Sequence, residues 1–74
     1  MKNLFININS LGDRDKFPVL ISHYDACDVG HTRGDMEHLK NLIEMSIEDG
    51  NCSVEDGNKE IELISKYDYV TVGE

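Results

Sequence analysis

Apolar and polar residues alternate in two segments of the chain, and the alternation predicts a strand in each. In residues 2–9, the apolar residues Leu4, Ile6 and Ile8 occupy every second position. A period of two residues is that of a strand with one buried face. Residues 67–72 are rich in aromatic and β-branched residues, which favour strands. We therefore expect strands near both ends of the sequence.

A further strand is predicted for residues 17–24, where a run of apolar residues follows Pro18. Because proline has no backbone N–H, Pro18 should begin this strand or lie on a sheet edge. The polar segment 10–16 contains turn residues and would join this strand to the first one. The two strands are predicted to form an antiparallel hairpin.

Residues 36–49 have the spacing of an amphipathic helix. Asp35 suits the N-cap of this helix, and Gly50 suits the position just after its end. The apolar residues that recur at helical spacing and form the predicted buried stripe are Met36, Leu39, Leu42, Ile43 and Ile47. We expect this helix to pack across one face of the sheet.

The segment between this helix and the last strand leaves two alternatives open. Asp56-Gly57-Asn58 is typical of a turn, and the residues after it alternate like a strand. In the alternative, Asn58 caps a short helix that buries Ile61 and Ile64. We favour the strand, at residues 59–64, paired across this turn with a short strand at residues 52–55. The predicted fold is α+β: a single domain, residues 1–74, with a small antiparallel sheet in the order β-β-α-β-β, room for a fifth strand, and one helix on one face.

The charge of the chain is strongly acidic and unevenly distributed. Fifteen Asp and Glu residues oppose seven Lys and Arg residues, which gives a net charge of −8. Residues 1–34 hold four acids and four bases, whereas residues 35–74 hold eleven acids and three bases. Such a field repels phosphate backbones and anionic lipids, so we expect no direct binding to nucleic acid or membrane. It attracts basic surfaces, although acidic residues also serve solubility alone.

Glutamates recur in the acidic half at spacings close to that of successive phosphates on a nucleic-acid strand. On the predicted helix, Glu44 and Glu48 would be about 6 Å apart along the axis. On the predicted strand, Glu60 and Glu62 would share a face, about 6.7 Å apart. Lys40, four residues before Glu44, partly neutralises the helical row. The residues predicted to contact a basic partner are Glu37, Glu44, Glu48, Glu60 and Glu62.

This pattern favours a non-catalytic binding protein that occupies a basic surface of another protein and inhibits it stoichiometrically. A protein that itself binds nucleic acid is one such partner, with the glutamates acting as a nucleic-acid mimic. An exposed aromatic residue, Tyr24 or Tyr67, would supply the apolar anchor. In size and charge the chain is similar to phage inhibitors of host defence and to bacterial immunity proteins, although it shares no motif with them. A structural homodimer that pairs through its sheet edges is an alternative.

The other alternative is a small metal- or thiol-dependent enzyme that uses the polar segment 23–31. His23, Cys27 and His31 would bind the metal, or Cys27 would be a nucleophile with a histidine (His23, His31 or His38) as its base. The candidates for a fourth metal ligand are Asp25, Asp28, Asp35 and Cys52. The spacing does not match that of structural zinc sites, and no motif marks an oxyanion hole. We therefore predict no catalysis, no metal and no cofactor.

The sequence also predicts a cytoplasmic protein with reduced cysteines. No apolar run reaches the roughly 18 residues that a membrane span needs. Asparagines interrupt residues 1–9, which therefore lack the apolar core of a signal peptide. Two cysteines, Cys27 and Cys52, are too few for a disulfide framework, and we expect both to be free thiols.

Overall fold

The described part of the chain folds into a three-stranded sheet and four helices. The computed structural model describes residues 1–26 and 32–74. The strands are β1 (Asn3–Asn7), β2 (Arg33–Asp35) and β3 (Tyr69–Gly73). The helices are α1 (Leu11–Lys16), α2 (Pro18–Ala26), α3 (Met36–Glu48) and α4 (Val54–Ile64). None of the helices in these two ranges is long and apolar enough to cross a membrane.

The sheet is mixed, with β3 in the middle. β1 pairs with β3 in parallel, with Leu4 opposite Val70 and Ile6 opposite Val72. β2 pairs with the other side of β3 in antiparallel fashion. Because side chains alternate between the two faces of a strand, these four residues share one face, and three of them are fully buried. That face carries the core, while Phe5, on the opposite face of β1, is exposed.

The core joins this face of the sheet to apolar residues of the helices and their connections. Its buried apolar members are Ile6, Ile8, Phe17, Val19, Leu20, Ile21, Leu39, Ile43, Ile64, Val70 and Val72. Side chains from α2, α3 and α4 therefore cover the same face of the sheet. One layer of helices on one side of a small sheet is a standard way to bury both apolar surfaces.

The predictions for β1, α3 and β3 are confirmed. The predicted helix 36–49 is observed as Met36–Glu48, and Leu39 and Ile43 are fully buried. The Asp35 side chain accepts a hydrogen bond of 2.8 Å from the backbone N–H of His38, as an N-cap residue does. Gly50 follows the helix with a φ of 77°, a left-handed conformation that favours glycine.

The predicted strand at residues 17–24 is wrong, because these residues form helix α2. Pro18 takes the first helical position, where its missing N–H costs nothing and its φ suits the helix. Phe17, Val19, Leu20 and Ile21 are all buried, and the exposed positions Pro18, Ser22 and Asp25 have the spacing of a helical face. The continuous apolar run at residues 19–21 hid this spacing in the sequence. A short apolar run of this kind fits a buried strand and a buried helix equally well.

The strand favoured for residues 59–64 is also wrong, because all of these residues belong to α4, and so do the last two residues of the short strand predicted at 52–55. The alternative that Asn58 caps a helix has the right element type but the wrong start. Ser53 is the N-cap, and its hydroxyl accepts a hydrogen bond from the Asp56 backbone N–H at 3.1 Å. The predicted turn at Asp56-Gly57-Asn58 is therefore the first part of a helix.

These two errors overturn the predicted topology as a whole. The order β-β-α-β-β with an antiparallel sheet and one helix is replaced by β-α-α-β-α-α-β with a mixed sheet. No hairpin joins the first two predicted strands, since residues 11–26 are helical apart from the junction at Phe17. The first and last strands are parallel neighbours, which requires a long connection such as the helices provide.

Candidate functional site

Three of the five predicted partner-binding glutamates form a row on the outer side of α3. Glu37, Glu44 and Glu48 are all exposed, while Leu39 and Ile43, on the opposite side of the helix, are in the core. Helical geometry places Glu44 and Glu48 about 6 Å apart along the axis, and Glu37 about 10.5 Å from Glu44. We call Glu37, Glu44 and Glu48 the α3 acidic row.

A lysine lies beside the α3 acidic row but neutralises it only weakly. The Lys40 Nζ atom is 4.0 Å from Glu44 Oε1, at the limit of an ion pair, and both side chains are partly exposed to solvent. Exposed pairs at this helical spacing contribute about 0.3–0.5 kcal/mol. Glu37 and Glu48 have no ion-pair partner among the described residues. The row therefore keeps most of its negative field.

An apolar side chain accompanies the row. Met45 is 53% exposed and follows Glu44 directly, so it lies about 100° further around α3. The tyrosines predicted as anchors are both half-buried, and Tyr24 packs against the core. Met45 is therefore better placed than Tyr24 or Tyr67 to enter a partner surface, and its flexible thioether adapts to irregular pockets.

The two predicted glutamates of α4 lie in opposite environments. Glu62 is exposed, whereas Glu60 is only 1% exposed. Two residues apart means the same face of a strand but about 200° around a helix. The prediction that Glu60 and Glu62 share a partner-facing surface fails for this reason, and a buried Glu60 cannot contact a partner. Glu62 retains an exposed position.

Glu60 instead accepts hydrogen bonds from the N-terminus of another helix, α2. Its Oε2 accepts a hydrogen bond of 2.8 Å from the Val19 N–H, and its Oε1 accepts one of 3.1 Å from the Leu20 N–H. The first N–H groups of a helix have no partner within the helix and carry the positive end of its dipole. A carboxylate 40 residues further along the chain thus satisfies the start of α2.

The surroundings of Glu60 destabilise its charged form. Burial raises the pKa of Glu60 to about 7, the two backbone hydrogen bonds act to lower it, and the nearby charge of Asp56 raises it further. Burial dominates because the carboxylate loses its hydration. Near neutral pH, Glu60 therefore gains or loses a proton inside the fold.

A cavity of about 620 Å³ opens beside the same helix N-terminus. It lies between α2, α3, the connection from α3 to α4, and the first turns of α4. Pro18 and Val19 form part of its wall. Its polar lining residues are Ser22, His23, Ser46, Asn51, Cys52 and Asp56. Sequence reasoning identified His23 and Cys52 as candidates but did not predict that they share a cavity.

The geometry of His23 does not support a nucleophilic serine. Its Nε2 atom is 2.7 Å from Ser46 Oγ and 3.1 Å from the carbonyl oxygen of Leu42. A carbonyl oxygen only accepts hydrogen bonds, and an Nε2 atom that donates to it is unable to remove the proton of Ser46. The N–H groups of Val19 and Leu20, which would stabilise an oxyanion, are bonded to a carboxylate instead.

Cys52 is a free, half-buried thiol in this cavity. Burial raises its pKa above the ordinary value, and the negative charges of Glu60 and Asp56 raise it further. A reactive cysteine needs the opposite environment, one that stabilises its thiolate. The cavity thus holds Cys52 in its protonated, weakly nucleophilic form.

The structure describes only some of the residues that were candidates for binding a metal. Cys27, Asp28 and His31 lie outside the described residues. In residues 1–26 and 32–74, no group of three or more His, Cys, Asp or Glu side chains is placed to hold a metal ion. Of the remaining candidates, Asp25 and His38 are exposed, and Asp35 caps α3.

Comparison with protein-family models, with curated proteins and with solved structures found no match to this chain. Family membership therefore carries no weight for its function. The placement of the glutamates, the cavity and the distribution of charge supply the basis for a proposal.

Proposed function

We propose that the chain is a non-catalytic binding protein that covers a basic surface of another protein and inhibits it stoichiometrically. The observation that carries the proposal is the α3 acidic row. Its glutamates are exposed along one side of a helix whose other side lies in the core. A rigid, buried attachment fixes the row and keeps the entropic cost of ordering it low.

The electrostatics of the acidic half support long-range attraction. Of its eleven acids, Glu60 is buried and contributes little to the outer field. Two of its three lysines, Lys40 and Lys59, form only long, exposed pairs with glutamates, at 4.0 and 3.7 Å. Exposed like charges, such as those of the α3 acidic row, raise the rate at which an oppositely charged partner docks.

Affinity requires more than attraction, because exposed ion pairs contribute little on their own. Met45 supplies the apolar contact next to the row, in the position that binding anchors occupy. Glu62, on the neighbouring helix, adds an exposed charge. The interface is therefore centred on α3, with Met45 inside it and charges around it.

The spacing of the exposed glutamates supports binding to a basic protein surface in general, without specifying a surface that binds nucleic acid. The regular pair predicted for Glu60 and Glu62 does not exist, and the axial intervals along α3 are about 10.5 Å and about 6 Å. A partner that binds nucleic acid belongs to the class of basic proteins, but the uneven row is not a copy of a phosphate backbone.

The first experiment captures partners from the native cell with the wild-type protein and with two charge-reversal variants. Glu44→Lys/Glu48→Lys alters the α3 acidic row, and Asp15→Lys/Asp25→Lys makes the same charge change at exposed acids of the neutral half. Asp13 is unsuitable as a control, because its carboxylate accepts a 2.8 Å hydrogen bond from the Asn7 N–H. We expect the basic partner to be lost only with the α3 variant.

Stopped-flow measurements with the captured partner then test the mechanism. The association rate should fall steeply between roughly 50 and 300 mM salt, because exposed charges are screened over about 10 Å or less. The α3 variant should slow association more than it speeds dissociation. Equal effects from both variants, or an association rate that does not depend on salt, would contradict the proposal and leave the acidic half as a solubilising surface.

A further inference from the structure

One edge of the sheet is formed by β1, and half of its backbone groups point away from the fold. At the two ends of the pairing, the Lys2 carbonyl accepts a hydrogen bond from the Tyr69 N–H, and the Ile8 N–H donates one to the Gly73 carbonyl. Backbone groups of successive strand residues point to opposite sides. The even-numbered residues thus face β3. The residues that face outward are Asn3, Phe5 and Asn7.

Within the fold, only one of these three outward-facing residues has hydrogen-bond partners for its backbone groups. The Asn7 N–H donates to Asp13 Oδ2 at 2.8 Å, and the Asn7 carbonyl accepts from the Ser10 N–H at 3.0 Å. The start of α1 therefore covers the edge at Asn7. Within the described residues, the two N–H groups and two carbonyls of Asn3 and Phe5 take part in no hydrogen bond. They form a short free edge.

This free edge is apolar and electrically neutral. Phe5 is 53% exposed, and Met1 and Leu11, which flank the edge, are more exposed still. Residues 1–12 contain one charged side chain, Lys2, and α1 holds two acids and two bases. Natural sheets usually protect a free edge with charges, prolines or a covering element. Between Asn3 and Phe5, this one has none of them among the described residues.

We propose that this edge pairs, antiparallel, with β1 of a second copy of the chain about a two-fold axis at Leu4. In this register Asn3 of each copy lies opposite Phe5 of the other. Each such pair exchanges two N–H···O=C bonds, so four bonds form across the axis. They use every free group of both edges, and the two sheets join into one of six strands.

The register of the pairing follows from which backbone groups of β1 already have hydrogen-bond partners within the chain. A two-fold axis at Phe5 would pair Asn3 with Asn7, whose N–H is already bonded to Asp13. An axis at Asn3 would pair Phe5 with Met1, which lies outside strand β1. Only the axis at Leu4 pairs strand residues throughout and leaves no free donor unmatched. Two-fold symmetry requires such a self-complementary edge.

The charge distribution favours a second copy over an acidic or basic partner at this edge. α3 packs against β2, at the edge of the sheet opposite β1. In the proposed dimer the two α3 acidic rows therefore lie on the far sides, away from the two-fold axis. Two chains of charge −8 thus meet through the half that carries no net charge. An edge without net charge offers no charge complementarity to a partner of either sign.

Sedimentation equilibrium tests the dimer directly. We expect a mass of about twice 8.4 kDa for the wild-type protein at concentrations up to about 1 mM, a range suited to a short interface. Phe5→Pro removes an outward-facing N–H together with the half-exposed phenyl ring, and it leaves the bonds to β3 in place. It should raise the dimer dissociation constant at least about tenfold, since two of four bonds are lost. The matched control, Phe5→Leu, keeps the N–H and an apolar side chain and should stay within a few-fold of the wild type.

Hydrogen exchange of the wild-type protein gives a second test that needs no variant. The amides of Asn3 and Phe5 should exchange slowly at high protein concentration and rapidly at low concentration. The amides of Leu4 and Ile6, which face β3, should exchange slowly even at low concentration, where the chain is monomeric. A monomer across the whole concentration range, an undiminished dimer for Phe5→Pro, or concentration-independent exchange at Asn3 and Phe5 would each overturn the proposal. None of these results bears on the α3 acidic row, whose partner binding is a separate proposal.

Discussion

Helices α3 and α4 pack against each other and carry similar charges, yet they use their glutamates differently. The glutamates of α3 are all exposed, and its inner side is made of Leu39, Ile43 and a buried serine. α4 instead turns Glu60 inward, where it bonds the start of α2. A glutamate therefore contributes to folding on one helix and remains free for a partner on the other.

The difference has a physical origin in α2. The N–H groups of Val19 and Leu20 at the start of that helix are buried in the fold, and Pro18 removes only the N–H that precedes them. Leaving the others without an acceptor would cost about 1–3 kcal/mol each. α3 begins at the surface and is capped locally by Asp35. The buried helix start needs an acceptor from elsewhere, and Glu60 supplies it.

The largest effect should come from removing that acceptor. Glu60→Ala leaves the N–H groups of Val19 and Leu20 buried without partners and opens a cavity, so we expect a loss of about 3–5 kcal/mol in the free energy of unfolding. Urea denaturation measures it. The matched variant on the other helix, Glu44→Ala, should change stability by no more than about 0.5 kcal/mol. Similar losses from both variants would mean that the two helices do not differ in the way described.

The second prediction concerns pH and the same carboxyl group. The pKa of Glu60 is about 7 in the folded chain against an ordinary value of 4.5. Between these values the folded state holds more protons than the unfolded state, so stability falls as pH rises. The stabilisation is complete below pH 4.5 and is lost as pH passes through about 7. The loss should amount to about 1–3 kcal/mol.

Glu60→Gln isolates this contribution, because it preserves the shape of the side chain but does not titrate. Denaturation midpoints of the wild type and the variant should be compared from pH 4.5 to pH 8. Cys52 and Asp56, the titratable groups that interact with Glu60, and His23 are present in both proteins, so the difference between the two curves reports Glu60. Parallel curves would show that Glu60 does not titrate in this range.

The third prediction concerns the contact between α3 and α4. A Cβ atom at Gly57 would lie 2.5 Å from Ile47 Cδ1 and 3.3 Å from Ile43 Cγ2, so the helices approach too closely for a side chain. Gly57→Ala should destabilise the fold by about 1–2 kcal/mol, since the clash outweighs the better helix propensity of alanine. Gly12→Ala in α1, where the nearest atom is 3.8 Å away, should be neutral or stabilising. Ile47→Ala costs stability by itself because Ile47 packs against the core. If the clash is the cause, Gly57→Ala should therefore cost less in the Ile47→Ala background than in the wild type.

The same two helices show what the sequence can and cannot reveal. α3 was predictable because its period, its cap at Asp35 and its end at Gly50 all lie within one continuous segment. α4 has a local signal too, since Ser53 is followed three residues later by Asp56, which resembles a capping motif. Gly57, however, serves the close approach of α3 and looks like a turn residue in isolation. The contact that explains it becomes visible only once α3 and α4 are packed.

α2 and the candidate site make the same point at longer range. Its apolar run has no clear period, and the acceptor for its first N–H groups is Glu60, 41 residues away from Val19. Pro18 is the one local sign of its start, but a proline at that place also suits the beginning of a strand. The α3 acidic row was predictable because a correct helix fixes which glutamates share a side. The positions of Glu60 and Glu62 were not predictable in this way. Residues two apart share a face of a strand but lie about 200° apart around a helix, and the sequence favoured the wrong element.

The smallest predicted effect concerns the contribution of the α3 acidic row to the stability of α3 itself. Glu48 is the last residue of the helix, where the negative end of the dipole disfavours another negative charge, and α3 has no basic residue in its last turn. Glu48→Lys should therefore raise the free energy of unfolding by about 0.3–1 kcal/mol, whereas Glu37→Lys in the first turn should lower it by a similar amount. Urea denaturation at low ionic strength measures both, and the difference should shrink in high salt. A carboxylate that costs stability where it stands is consistent with a role in binding. If Glu48→Lys instead destabilised the chain, the row would belong to the fold, and α3 would resemble α4 after all.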